Sequence, residues 1–204
     1  MIAVSNTTPL RYLIAIGQDD LLGKLFEKVF VPTGVHEELT DPRTPEVVRR
    51  RVLSLAAWFE VRAVQQSHEA AFPVTLHRGE REAILLAEAL RADVLLVDEQ
   101  IGRTIALSRK LPLSGTLGVL ERADRMGFVS DFPQILQRLK ASGFFIADSL
   151  EQQLLQRHEA RRAKKGGYGR VDVQGRPTHL EITICSISVY PSFGHGFDSH
   201  RPLH

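Results

Sequence analysis

Residues 92–99 read Ala-Asp-Val-Leu-Leu-Val-Asp-Glu, a short apolar run that ends in two carboxylates. The four residues from Val94 to Val97 are all apolar, which predicts a strand buried on both of its faces. Residues 101–111 follow with the spacing of an amphipathic helix. A buried strand followed directly by a helix is typical of an α/β fold with a parallel sheet.

The same alternation of strand and helix runs through most of the chain. Near the start, Ile2 to Ser5 predicts a buried strand, and Thr7 or Thr8 is expected to cap a helix with Pro9 in its first turn. Further strands are predicted at residues 29–32, 59–64 and 93–97, with a strand or turn at 113. Helices are predicted at residues 10–16, 21–26, 34–39, 44–58, 77–90, 101–111, 116–126, 132–141 and 150–165. We therefore expect a mainly parallel sheet with helices on both faces.

Composition describes an ordinary globular protein of 204 residues, long enough for one sizeable core. The net charge of +2 is too small to indicate nucleic acid or membrane binding by itself. Cys185 is the only cysteine, so no disulfide can form within the chain. Because the apolar runs are far shorter than the roughly 20 residues that span a bilayer, we expect a cytoplasmic protein that does not bind membranes.

In parallel sheets, ligands bind at the carboxyl ends of the strands. Asn6 and Asp98 end the two most apolar strands, which should be neighbours, and Glu80 would join them if the chain folds back over that edge. Carboxylates that converge without enough Lys or Arg repel each other unless a cation lies between them, and oxygen ligands favour Mg²⁺ or Mn²⁺. Taken singly, Glu80 and Asp98 could instead serve as helix-terminal residues, and Glu37 and Glu38 as surface charges.

Other chemistries have less support. The chain has neither GxGxxG after a strand nor GxxxxGK[ST], which argues against the nucleotide-binding folds that carry those motifs. It has no HxxxH spacing on a helix that would suggest zinc. The basic helix end near Arg157, Arg161 and Arg162 fits either phosphate contact or a favourable interaction with the helix dipole.

Five blocks of sequence, in this order and at this spacing, resemble the PIN-domain superfamily, and most closely its branch of VapC-type toxins of toxin–antitoxin pairs. The blocks are VSNTTPLRYLIAIG (4–17), VFVPTGVHEEL (29–39), LHRGEREAILLAEAL (76–90), ADVLLVDEQIGR (92–103) and LSGTLGVLERADRMG (113–127). The similarity covers residues 1–155. It implies a three-layer α/β/α fold and a metal-dependent endoribonuclease, with a small antitoxin as partner and a homodimer as the common assembly.

The resemblance also implies a set of site residues around one or two Mg²⁺ or Mn²⁺ ions. Its acidic positions fall on Asn6, Glu38, Glu80 and Asp98, of which the three acids would be catalytic and all four would bind metal. Supporting positions are Thr7, Glu37, Glu99, Arg103 and Thr116. Most PIN nucleases have Asp where this chain has Asn6, and an amide oxygen brings no charge, so metal affinity and activity should be lower.

The residues after 155 are expected to differ in character. Residues 156–165 complete a basic helix, and residues 166–204 are rich in Gly, Pro, His and Ser, which predicts a poorly ordered extension. Gly196-Phe197-Asp198-Ser199 can be encoded by GGGTTCGATTCC, which resembles the TΨC arm of a transfer RNA gene. We hypothesise that the extension is read-through into such a gene.

Two alternative functions remain open from the sequence. The first is a catalytically weak or inactive PIN-like module that binds RNA or an antitoxin, which Asn6 favours and the three retained acids disfavour. The second is an unrelated phosphotransfer domain in which Asp98 would be the phosphoacceptor. The second lacks a lysine near a strand end of the kind this chemistry needs.

Overall fold

The structure is a computed structural model, and it describes residues 1–55, 57–64 and 72–166. Its strands are β1 (Ile2–Ser5), β2 (Lys28–Pro32), β3 (Phe59–Arg62), β4 (Val94–Leu96) and β5 (Leu113–Ser114). Its helices are α1 (Thr7–Ala15), α2 (Asp20–Leu25), α3 (Thr33–Thr40), α4 (Glu46–Leu53), α5 (Arg78–Leu90), α6 (Gln100–Ser108), α7 (Thr116–Arg125), α8 (Phe132–Ala141) and α9 (Asp148–Gly166).

The five strands form one parallel sheet in the order β3-β2-β1-β4-β5. Along the chain, β2 and β3 are added on one side of β1, and β4 and β5 are then added on its other side. The register pairs Val4 with both Phe30 and Leu95. The predicted adjacency of the two most apolar strands is confirmed, and they meet where the strand order reverses, the usual ligand-binding position in such sheets.

Alternate residues of each strand enter different hydrophobic cores, as the period of two in a strand requires. Ala3, Val29 and Leu96 face one core, which also receives apolar side chains from α1–α4 and α7–α9. Val4 and Leu95 face the other, which α5 and α6 cover. Helices thus lie on both faces of a fully parallel sheet, and the three-layer α/β/α architecture is confirmed.

Several predicted helix boundaries differ from the structure, and two of the differences have a clear physical reason. The helix expected to run to Trp58 ends at Leu53, and Trp58 instead packs against Gly23 of α2 and edge-on against the ring of Phe59 at 6.1 Å. The cap of α1 is Asn6, whereas Thr7 belongs to the first turn and uses its hydroxyl elsewhere.

Part of the basic end of α9 contacts α7. Arg157 pairs with Glu121 at 2.7 Å, and Asp124 accepts a hydrogen bond from Arg161 and pairs with Nδ1 of His158 at 2.8 Å. These ion pairs favour a structural role for Arg157 and Arg161 over phosphate contact.

One compact unit comprises Met1–Gly166, and the extension predicted at 166–204 lies, apart from Gly166, outside the described residues. The boundary predicted at residue 155 and the read-through origin of the extension stay predictions. Within the described part of the chain, no helix has both the length and the apolar character needed to cross a bilayer.

Candidate metal site at the carboxyl edge of the sheet

The carboxyl ends of β1 and β4 place Asn6 and Glu99 in direct contact. The backbone N–H of Asn6 donates to Leu96 O at 3.0 Å, so the parallel ladder continues one residue past β1. This bond fixes Asn6 beside the end of β4, where Asp98 and Glu99 follow. The two carboxylates leave the strand end in different directions, and each meets a different set of partners.

Asn6 is 2% exposed, and its side-chain amide is only half satisfied. Its Nδ2 donates to Glu99 Oε2 at 2.6 Å, whereas its Oδ1 is buried and has no hydrogen-bond partner among the described residues. Because a carboxylate can only accept, the amide nitrogen must face Glu99 and the oxygen must face away from it. A buried carbonyl oxygen without a partner is costly, so the site is built to receive a donor or a cation there.

Glu80 shows the same half-satisfied state. It is the third residue of α5, 9% exposed, and its Oε2 accepts from the backbone N–H of His77 at 3.0 Å, as N-terminal glutamates of helices often do. Its Oε1 is buried and has no partner among the described residues. Burial raises the pKa of Glu80, and the charges of Glu99 and Glu38 raise it further, although the hydrogen bond from His77 acts in the opposite direction.

Glu38 reaches the same region from α3, and Glu37 does not. The hydroxyl of Thr7 donates to Glu38 Oε2, and a Cβ added at Gly79 would lie only 2.8 Å from Glu38 Oε1. Glu37 instead pairs with Arg78 at 2.9 Å. The lack of a side chain at Gly79 lets the Glu38 carboxylate lie against the start of α5, next to Glu80.

Both oxygens of Asp98 are engaged by Thr116. The backbone N–H and the hydroxyl of Thr116 donate to it at 2.8 and 2.6 Å. Burial raises the pKa of Asp98 to about 6; the two bonds from Thr116 act against this rise, the charge of Glu99 adds to it, and the charge of Arg103 opposes it. Arg103 is itself held by a 3.0 Å hydrogen bond from its Nη1 to Val97 O. Asp98 therefore links the end of β4 to the start of α7.

An open groove of about 500 Å³ adjoins Glu38. It is lined by Arg11, Gly34, Glu37, Glu38, Asp41, Arg43, Thr44, Pro45 and Arg78. Arg43 and Arg78 are paired with carboxylates, whereas no described carboxylate lies within ion-pair distance of Arg11, which is exposed. Arg11 is four residues after Thr7 on α1 and thus on the same helix face, which places a free positive charge beside the carboxylates.

The donors present fit a hard divalent cation. Among the described residues no group of three or more His, Cys, Asp or Glu side chains is close enough, as placed, to hold a metal ion. The fit rests instead on the two buried oxygens without partners, Asn6 Oδ1 and Glu80 Oε1, and on a set of ligands made only of oxygen. Glu38 accepts a hydrogen bond from Thr7, and Glu99 accepts hydrogen bonds from Asn6 and Thr8. A bound cation could displace these donors.

The sequence matches a known protein family. The DUF3368 model, described as a PIN domain, matches residues 2–160. The chain belongs to the PIN-domain family. PIN domains are generally nucleases and typically depend on divalent metals, which agrees with oxygen donors gathered at the carboxyl edge of the sheet.

This PIN domain has only limited similarity to a protein of known structure. A PilT N-terminus domain protein from the hyperthermophilic archaeon Sulfolobus solfataricus P2 matches with a TM-score of 0.44 and 20% sequence identity. The match covers 60% of this chain and 93% of that one. Comparison with curated proteins gives no significant match.

The structure brings most of the sequence-predicted site residues of the PIN domain to one edge. Asn6, Glu38 and Glu80 lie near Glu99, whereas both oxygens of Asp98 are held by Thr116. Sequence reasoning missed Thr8 as a partner of Glu99, because a hydroxyl in the first turn of a helix reads simply as a cap. It also missed Arg11, because only the fold shows that Arg11 lines the same groove as Glu38.

Proposed function

We propose that this PIN domain is a metal-dependent endoribonuclease that hydrolyses RNA phosphodiesters. The observation that carries the proposal is the pair of buried, unpartnered oxygens on Asn6 and Glu80 at the carboxyl edge of the sheet. Two buried acceptors without donors at one edge of the sheet favour a site for a cation over a structural hydrogen-bond network.

In this proposal each residue has a distinct task. Asn6 and Glu80 present their free oxygens, Glu38 approaches from the groove side, and a carboxylate that follows the end of β4 completes the set of donors. A bound Mg²⁺ or Mn²⁺ would supply charge to polarise the scissile phosphate and to lower the pKa of an attacking water. Arg103 offsets part of the negative charge around Asp98.

The groove beside Glu38 offers a path for the RNA backbone. A phosphate next to the scissile one would be attracted by Arg11, whose charge no described carboxylate neutralises. Arg43 and Arg78 line the same groove, but their ion pairs with Asp41, Glu37 and Glu82 already use their charges. Arg11 is thus the groove residue best placed to bind substrate.

Glu80→Gln tests the proposal directly, because it keeps the shape of the side chain and removes its charge. The purified variant should lose Mn²⁺-dependent cleavage of a mixed-sequence oligoribonucleotide while keeping the wild-type melting temperature within a few degrees. Glu88→Gln is the matched control, since Glu88 lies on the same helix and pairs with Arg109 at 3.0 Å away from the site. Cleavage by Glu80→Gln at the wild-type rate would rule the mechanism out.

A second candidate function is a PIN-like module that binds RNA or a protein without cleaving. The neutral side chain of Asn6 favours it, since a ligand position that usually carries a charge has lost it. Titration calorimetry with Mn²⁺ separates the two candidates. A nuclease should bind the ion saturably, whereas a purely binding module should show no saturable heat.

We further infer, from the resemblance to VapC-type proteins, that the chain is the toxin of a toxin–antitoxin pair. It would then act in the cytoplasm, associate as a homodimer and be held inactive by a small antitoxin. Induced expression should arrest growth, and co-expression of a small protein encoded next to its gene should relieve the arrest. Unimpaired growth with the wild-type protein alone would contradict the toxin role and leave the nuclease proposal standing.

A further inference from the structure

Asn6 and Glu99 form one hydrogen-bonded pair at the point where β1 and β4 meet. The amide of Asn6 donates to Glu99 Oε2 at 2.6 Å, and the hydroxyl of Thr8 donates to Glu99 Oε1. Both oxygens of Glu99 are therefore fixed by residues that follow β1. The carboxylate of Glu99 therefore contacts Asn6, the residue that has an amide where most PIN nucleases have a carboxylate.

Glu99 also shares its surroundings with Glu80. A Cβ added at Gly102, in the first turn of α6 that Glu99 caps, would lie 3.0 Å from Glu80 Oε1. The unpartnered oxygens of Asn6 and Glu80 lie at the same edge, and Asn6 is 2% exposed. Glu99, Glu80 and Asn6 thus form one acidic group with two free acceptors.

Asp98 has a different position and a different task. Its two oxygens accept from the N–H and the hydroxyl of Thr116, and a Cβ added at Gly115 would collide with its Oδ1. This tight packing ties the carboxylate to the N-terminus of α7. To bind a cation, Asp98 would have to leave the backbone N–H at the start of α7, a donor that cannot rotate away, whereas both donors to Glu99 are side chains that can.

We propose that Glu99, rather than Asp98, supplies the negative charge that Asn6 lacks at a divalent-cation site, and that Asp98 is a positioning residue for α7. The inference rests on the proposed metal site and assigns its ligands. Asn6 contributes the neutral oxygen, and the negative charge lies one hydrogen bond away on Glu99, which follows the end of β4.

A charge-exchange experiment tests the assignment. Mn²⁺ affinity is measured by titration calorimetry on the metal-free full chain for the wild type, Glu99→Gln, Asn6→Asp, the double variant and Asp98→Asn. Glu99→Gln should weaken binding at least about tenfold, because one full charge leaves the site. The double variant carries the charge at position 6 and donates from position 99, so its affinity should return to within about threefold of the wild type.

The remaining variants distinguish the possible failures. Asp98→Asn should bind Mn²⁺ within about threefold of the wild type, and Glu88→Gln serves as the charge-matched control. If Glu99→Gln does not fold, the comparison of Asn6→Asp with the double variant decides, since removal of the Glu99 charge must still weaken binding. Wild-type binding in Glu99→Gln, or loss of binding in Asp98→Asn alone, overturns the assignment. Absence of saturable binding in the wild type overturns the metal site itself.

Discussion

Replacing Thr116 with valine removes one of the two hydrogen bonds that Asp98 accepts. Thr116 is fully buried, and its hydroxyl donates to Asp98 Oδ2 at 2.6 Å. The bond from its backbone N–H, at 2.8 Å, is kept in the variant. Valine fills nearly the same volume as threonine, so the main consequence is the loss of a donor to a carboxylate.

The size of the effect follows from the charge of the acceptor. A hydrogen bond to a charged group contributes about 1.5–3 kcal/mol, and a pKa changes by one unit for about 1.4 kcal/mol. Burial already raises the pKa of Asp98 to about 6. Because the lost bond favours the ionised form, the pKa of Asp98 in Thr116→Val should rise by about 1–2, into the range of roughly 7–8.

The assay is a carbon-detected NMR titration of the Asp98 carboxyl group in metal-free protein. Thr116→Ser is the control, since it keeps the hydroxyl and should titrate near the wild-type value. Stability provides a second measurement. The pKa of Asp98 is higher in the folded state than its ordinary value of 3.8, so ionisation destabilises the fold as pH rises through that interval. In the valine variant the pKa of Asp98 is higher still, so this loss of stability continues to a higher pH. The free energy of unfolding of the valine variant should therefore fall relative to that of the serine variant between about pH 6 and 8. Identical titration of the two variants would refute the account of Asp98.

Three further predictions concern the groove and the site. Arg11→Gln should raise KM for an oligoribonucleotide, leave kcat unchanged and reduce the salt dependence of binding by about one phosphate contact. Arg125→Gln, an exposed control on α7, should leave both KM and the salt dependence unchanged. Equal effects of the two variants would show that the groove does not bind the substrate. Gly79→Ala should displace the Glu38 carboxylate and weaken Mn²⁺ binding measured by calorimetry, because the added Cβ would lie 2.8 Å from Glu38 Oε1; unchanged affinity would show that Glu38 is not a ligand. Asn6→Asp should lower the melting temperature in EDTA and raise it in Mn²⁺, since it adds an uncompensated buried charge that only a cation offsets; a melting temperature independent of Mn²⁺ would contradict the metal site.

Local sequence patterns predicted most elements of the fold, because burial on both faces of a parallel strand leaves an apolar run that is easily read. The helix at 132–141 matches its prediction residue for residue, with Asp131 accepting from the N–H of Gln134 as its cap. The error at Trp58 has a different origin. The indole of Trp58 packs against Gly23, which is distant in sequence. A local sequence pattern cannot predict a tertiary contact of that kind.

For the candidate site, the chain by itself determined which polar residues follow the strands, since the order of strand, polar tip and helix is written locally. Asn6 and the Asp98-Glu99 pair were identified in this way, and Glu80 was identified as an acid in the first turn of a helix. Only the tertiary structure decided which of two adjacent carboxylates meets Asn6. Successive residues past a strand end point in different directions, and contact depends on what each direction holds: Thr116 for Asp98, and Asn6 with Thr8 for Glu99.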